Sequence, residues 1–109
     1  VVDTIKAQRD FLDDIWVYES DHIVKAYIHI CDGEIKELYT DHFFQGEGIG
    51  AELIRYAVCQ ESADHLWVLE KNIRAISFYE KNGFKMAGER LLWNDTGQYL
   101  VKMVRACLK

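Results

Sequence analysis

Gln45-Gly46-Glu47-Gly48-Ile49-Gly50 puts three glycines into five residues, directly before a stretch whose apolar residues recur at helical spacing. Each glycine costs backbone entropy on folding, so a plain turn does not require all three. A glycine-rich turn at a helix start can aim successive N–H groups at one point, where the helix dipole adds positive potential. The chemistry of such a nest is anion binding, and the expected guest is a phosphate group.

Three readings meet this stretch. One is a connection that only lets helix and sheet pack closely. Another is a dinucleotide fingerprint, because Gly46-Glu47-Gly48-Ile49-Gly50-Ala51 fits G-x-G-x-x-A and Glu70 falls near the distance of a ribose-binding acid. Against it, Asp41 to Gln45 separate the strand from the first glycine, and the strands upstream read as hairpins rather than βαβ units. A Walker loop is excluded, since no Gly-Lys-Ser/Thr follows. The third reading is a pyrophosphate cradle in a different fold, with Glu47 pointing to solvent.

The elements that must position this loop can be read on either side of it. Ile15 to Tyr18 is aromatic and β-branched, a strand signature, and Ile23 to Cys31 reads as a second strand with Val24, Ala26, Ile28 and Ile30 on one face. Asp32-Gly33 signals a hairpin into Glu34 to Thr40, where Ile35 and Tyr39 oppose Lys36, Leu38 and Thr40. Asp3 to Asp14 reads as the end of a helix, with Ile5, Phe11, Leu12 and Ile15 offering apolar contacts. After the glycines, Leu53, Ile54, Ala57 and Val58 predict a helix from Gly50 to about Ala63. His65 to Leu69 is a short buried strand. Asn72 caps a second helix carrying Ile73, Ile76 and Phe78, which Asn82-Gly83 ends. Phe84 to Trp93 and Gln98 to Cys107 form a closing hairpin around Asn94 to Gly97. The order β-β-β-α-β-α-β-β gives an α+β, or mixed α/β, fold and excludes a doubly wound one.

Composition bounds the function. The 109 residues suit one domain, and half of them are hydrophobic, enough for a buried core. A net charge of −5 argues against nucleic acid or an anionic membrane as partner. Cys31, Cys59 and Cys107 form no C-x-x-C pair, so neither a disulfide framework nor a metal site is expected, and a reducing, cytoplasmic setting is. The chain begins Val1-Val2 rather than with methionine, so further residues are expected upstream.

A second stretch, Leu69 to Phe84, decides among the three readings of the loop. Asn72, Ala75, Phe78, Tyr79, Gly83 and Phe84 match the N-x-x-A-x-x-F-Y-x-x-x-G-F segment of the GNAT superfamily of acetyl-CoA-dependent N-acetyltransferases. Gln45 to Gly50 match that family's Q/R-x-x-G-x-G/A loop. Both motifs occur in order and at about the family's separation. The chain is therefore identified as resembling the GNAT family over about residues 15–107. It departs in having Asp41-His42 where the family often has Asp-Pro, and in showing only a remnant of the acceptor-side elements before Ile15.

The resemblance implies a GNAT-like acyl-CoA N-acyltransferase fold, with a mostly antiparallel sheet, a splayed central strand pair and crossing helices. It implies acetyl-CoA as cosubstrate and no metal. Leu38, Tyr39 and Thr40 would offer main-chain hydrogen bonds to the pantetheine arm and the thioester carbonyl, stabilising the oxyanion. Gln45, Gly46, Glu47, Gly48, Ile49 and Gly50 would hold the pyrophosphate, and Asn72 would contact the cofactor as well as cap its helix. Arg74 and Lys81 would meet the 3′-phosphate. Tyr79 would protonate the departing thiolate, since a phenol is neutral at pH 7 and can donate. Glu37 and Glu70 stand where the family often carries a carboxylate base; His29 and His42 are weaker candidates. The expected reaction is direct attack by a primary amine, on a small molecule or a protein, in a ternary complex. The cysteines would be bystanders. The rival reading is a non-catalytic acyl-CoA-binding or regulatory module. A homodimer is compatible with either.

Overall fold

In the computed structural model, residues 4–8, 15–93 and 96–105 are described, and the chain divides into two units, Val1–Ala63 and Asp64–Lys109. The first unit is an antiparallel meander of β1 (Thr4–Gln8), β2 (Ile15–Ser20), β3 (Ile23–Cys31) and β4 (Glu34–Thr40). A 3-10 turn (His42–Phe44) leads to helix α1 (Ile49–Glu61).

β1 corrects the sequence reading. Thr4 to Gln8 pair with Glu19 to Ile15 as a strand, not as the end of a helix. The alternation of Ile5 and Ala7 with Thr4, Lys6 and Gln8 carries the strand period, although Lys, Ala and Gln are helix-friendly residues. Phe11, Leu12 and the rest of 9–14 lie outside the described residues, as do Asn94, Asp95 and Cys107.

Two bulges set which residues face the core. Asp32 and Gly33 both take left-handed backbone (φ 52° and 81°), the geometry of a tight two-residue hairpin turn. Next to the turn Ile30 pairs with Ile35, but further along His29 pairs with Glu37, so Lys36 is an extra residue in β4. Without the bulge Lys36 would pair with His29, and Glu37 would stand opposite Ile28 in the core. With it Glu37 moves to the His29 face and Leu38 takes the place opposite Ile28. The predicted alternation of β4 is therefore corrected: Ile35 is 3% exposed while Tyr39 is 47% exposed. A matching bulge, with Lys25 extra, leaves Val24 exposed instead of buried with Ala26, Ile28 and Ile30.

Helix α1 packs on β3 and β4 through Leu53, Ile54 and Ala57, all buried. Burying one such aliphatic side chain is worth roughly 1.5–3 kcal/mol, so this seam rather than helix propensity holds α1 in place. At its end Ser62 is left-handed (φ 57°) and Ala63 N–H returns 3.0 Å to the Ala57 carbonyl.

The second unit contains β5 (His65–Leu69), α2 (Ile73–Lys81), β6 (Phe84–Trp93) and β7 (Gln98–Arg105). β7 lies between β5 and β6 and is antiparallel to both. Asn72 caps α2 as expected, its Oδ1 accepting from Ala75 N–H at 3.2 Å. The helix stops where Gly83 turns left-handed (φ 96°), and Arg105 fixes that turn by donating to the Asn82 carbonyl at 2.9 Å. Ile76 faces inward, whereas Ile73 is 71% exposed and gives no core contact at the helix start. The fold class is α+β, and no helix among the described residues is long and apolar enough to cross a membrane.

Candidate active site

The glycine loop is anchored at both ends before it reaches α1. Asp41 caps the 3-10 turn, its Oδ1 accepting from Phe43 N–H and its carbonyl from Phe44 N–H, both at 2.9 Å. Gln45 reaches back and donates from Nε2 to the Thr40 carbonyl at 3.2 Å, tying the loop to the end of β4. Gly46 and Gly48 then take φ of 88° and 81°, a conformation that disfavours any side chain. Among the described residues, chain neighbours aside, nothing lies within 4 Å of where a Cβ would stand on either glycine, so the space there is open.

The backbone donors of this stretch are left without partners among the described residues. Gly48 precedes α1 with no side-chain cap, and Glu52 N–H is the first to return into the helix, to the Gly48 carbonyl at 3.1 Å. Among the described residues no acceptor takes the N–H groups of Gly46 through Ala51. An unsatisfied run of N–H groups at the positive end of a thirteen-residue helix is what an anion such as pyrophosphate requires.

Upstream on the same unit, β4 carries Glu37, Leu38, Tyr39 and Thr40. Glu37 is exposed and accepts a 3.0 Å hydrogen bond from the Tyr27 hydroxyl. Burial, with the Glu37 carboxylate adding to it, pushes the Tyr27 phenol above its ordinary 10.0. His29 stands opposite Glu37 in the β3–β4 register, and His42 is exposed beside Phe43.

In the second unit the β5–α2 connection gathers Glu70 and Asn72. Glu70 N–H donates to the Tyr99 carbonyl at 2.9 Å, while its carboxylate accepts from Arg90 at 3.0 Å. Arg90 in turn lies 3.7 Å over the Tyr99 ring. Asn72 spends its oxygen on the cap and its main-chain N–H on the Leu69 carbonyl (2.9 Å), which leaves its side-chain NH₂ to donate elsewhere.

Tyr79 is held edge-on by Phe78 and Phe84, with ring centroids 5.4 and 6.1 Å away. The same segment's Asn82 donates from Nδ2 to the Phe78 carbonyl at 2.8 Å, closing the end of the helix that carries Tyr79. Burial pushes the Tyr79 phenol above 10.0. Among the described residues its hydroxyl has no hydrogen-bond partner. Arg74 and Lys81 are exposed on α2.

The family model of the acetyltransferase (GNAT) domain matches residues 12–86, a span that contains both the glycine loop and Tyr79. The chain belongs to the GNAT acetyltransferases. The peptidyl-lysine N-acetyltransferase YjaB of Salmonella typhimurium is 33% identical over 82 residues, covering 72% of this chain and 57% of that protein. The solution structure of apo-form YjaB from Escherichia coli is similar with a TM-score of 0.70 and 26% identity, covering 83% of this chain and 63% of that one. Naa50 of Arabidopsis thaliana, in complex with the bisubstrate analogue CoA-Ac-MVNAL, shares the fold with a TM-score of 0.71 at 20% identity, covering 85% of this chain and 72% of that one. The chain thus spans little more than half the length of the Salmonella relative.

Within this GNAT chain, two residues that sequence reading did not single out hold the candidate carboxylates: Tyr27 on Glu37, and Arg90 on Glu70. Tyr27 comes from the adjacent strand β3, and Arg90 reaches Glu70 from β6, across β7. The cysteines stand apart from the loop, Cys31 half-buried at the end of β3 and Cys59 exposed on α1. Among the described residues no group of three or more His, Cys, Asp or Glu is placed to hold a metal ion.

Proposed function

We propose that the chain is one acetyl-CoA-dependent N-acetyltransferase domain, which transfers acetyl to a primary amine by direct attack in a ternary complex. The observation that carries this reading is the run of unclaimed N–H groups from Gly46 to Ala51 above left-handed Gly46 and Gly48. Acetyl-CoA supplies the activated thioester. Gln45 to Gly50 bind its pyrophosphate through main chain, so the net charge of −5 is no obstacle. Main-chain groups of Leu38, Tyr39 and Thr40 orient the arm and the carbonyl, and the free amide of Asn72 adds a donor. Arg74 and Lys81 meet the 3′-phosphate.

Tyr79 donates a proton to the departing thiolate. Its raised pKa keeps the phenol neutral through all ordinary working pH, so the proton is present when needed. A carboxylate takes the proton that the amine gives up. Glu37 suits this better than Glu70, because Glu70 already accepts from Arg90 whereas among the described residues Glu37 meets only a neutral phenol. A lysine-like amine, with a pKa of about 10.4, is overwhelmingly protonated at neutral pH, so that step cannot be left out.

The test is amine-dependent release of free CoA thiol, measured with acetyl-CoA and a panel of primary amines, alongside calorimetric binding of acetyl-CoA. Binding with amine-dependent release is the expected result. Binding without release for any amine would support the acyl-CoA-binding module instead, and absence of binding would remove both readings.

A further inference from the structure

The face of β3 and β4 that carries Glu37 also carries a pair of aromatic rings. Tyr27 and Tyr39 are directly opposite in register, with ring centroids 5.5 Å apart and planes tilted by 30°. Glu37 stands two residues along β4, on the same face as Tyr39 and opposite His29, and its Oε2 is fixed by the Tyr27 hydroxyl at 3.0 Å. Tyr39 is 47% exposed, so the rings and the carboxylate are open to a ligand. The bulge at Lys36 creates this grouping, because an unbroken register from the Asp32-Gly33 turn would set Tyr27 against Leu38.

The charge balance of the patch is incomplete. Lys36, the immediate neighbour of Glu37, turns to Glu34 at 3.2 Å. Lys25 lies with its Nζ 4.6 Å over the Phe44 ring. Among the described residues Glu37 therefore meets no cation, and a carboxylate with one hydrogen bond retains most of its accepting capacity. Two phenol rings present negative faces to a cation, and a carboxylate beside them adds a full charge.

We propose that Tyr27, Glu37 and Tyr39 bind the cationic head of an alkylammonium ion. Taken with the transfer reading, on which this extension rests for its biological meaning, the acceptor is a flexible alkylamine such as a lysine side chain or a polyamine, rather than an aromatic amine or an alcohol. An alkyl chain lies along the tyrosine rings while its ammonium donates to Glu37. The ammonium is recognised in its charged form, which is the abundant one at neutral pH.

The experiment is a titration of the chain with n-butylammonium, followed by NMR of the tyrosine ring protons, with 1-butanol as the neutral isostere. Saturable shifts of the Tyr27 and Tyr39 rings are expected with n-butylammonium and not with 1-butanol. Tyr39→Leu and Glu37→Gln should each weaken n-butylammonium by roughly fivefold. Tyr27→Phe keeps the ring but frees the Glu37 carboxylate, and should weaken it by about twofold. Glu37 and Tyr39 are exposed, and circular dichroism verifies that their variants are folded. Equal shifts with 1-butanol, or n-butylammonium affinity unchanged in both folded variants, would overturn the site. Acetyl-CoA is titrated into the same samples as a separate readout. Acetyl-CoA binding without a response to n-butylammonium defeats this site alone, whereas the opposite pattern upholds the site and defeats the transferase reading.

Discussion

The glycine loop and the Tyr79 segment belong to one family signature, yet the proposed mechanism uses them by opposite means. In the proposed mechanism the loop works through main chain: the N–H donors from Gly46 to Ala51, which no acceptor among the described residues takes, beside left-handed Gly46 and Gly48. Side chains matter there mainly by being absent. Around Tyr79 the proposed functional group is a single hydroxyl, and Phe78 and Phe84 hold its ring. A main-chain site is damaged by adding atoms and a side-chain site by removing them. Binding and turnover should therefore separate cleanly between the two regions.

The largest separation is expected at Tyr79. Tyr79→Phe keeps the ring, its contacts with Phe78 and Phe84 and the fold, and removes only the proton donor. Turnover should fall by about 10² or more, the usual scale for losing a general acid. Steady-state kinetics with a good amine acceptor measures it, with kcat and kcat/KM falling together if the hydroxyl acts only in the transition state. Near-full activity would return Tyr79 to the role of a core aromatic.

Next in size is the loop. Gly48→Val forces a β-branched residue to adopt a φ of 81° and projects a side chain into the open space above the N–H groups. Acetyl-CoA affinity should weaken by at least about tenfold, or 1.4 kcal/mol, by calorimetry. An unchanged dissociation constant in a folded variant would remove the cradle from the account.

The smallest effect separates two duties of one residue. Asn72→Ala removes the cap on Ala75 N–H and should cost about 1 kcal/mol of stability in thermal or urea unfolding. If the side-chain NH₂ also touches acetyl-CoA, Asn72→Asp, which keeps the cap oxygen, should retain stability and still lose affinity. A stability loss alone would leave Asn72 as a cap.

The contrast also explains what the sequence made legible. The loop could be read from residue types, because positive φ selects glycine and the helical period beginning at Ile49 fixes where the donors lie. Tyr79 could not be read that way. A ring packed between two phenylalanines has the sequence appearance of any core aromatic, and only its register with Asn72 and Gly83 set it apart. The partners of Glu37 and Glu70 were harder still. Counting outward from the Asp32-Gly33 turn pairs Tyr27 with Leu38, and the extra residue Lys36 shifts that pairing by one, to Tyr39. A single bulge leaves no clear mark in the residue types, yet it moves every side chain beyond it to the other face. β1 was missed for a different reason. Its five residues alternate correctly, but their composition favours a helix, and so short a strand gives the period little weight.

The division of labour between main chain and hydroxyl is tested most directly by titrating acetyl-CoA into the Tyr79→Phe protein whose turnover has been measured. The account predicts a dissociation constant within about twofold of wild type while kcat is lower by about 10². A dissociation constant that weakens as far as turnover falls would contradict it, because Tyr79 would then be holding the cosubstrate rather than protonating its leaving group.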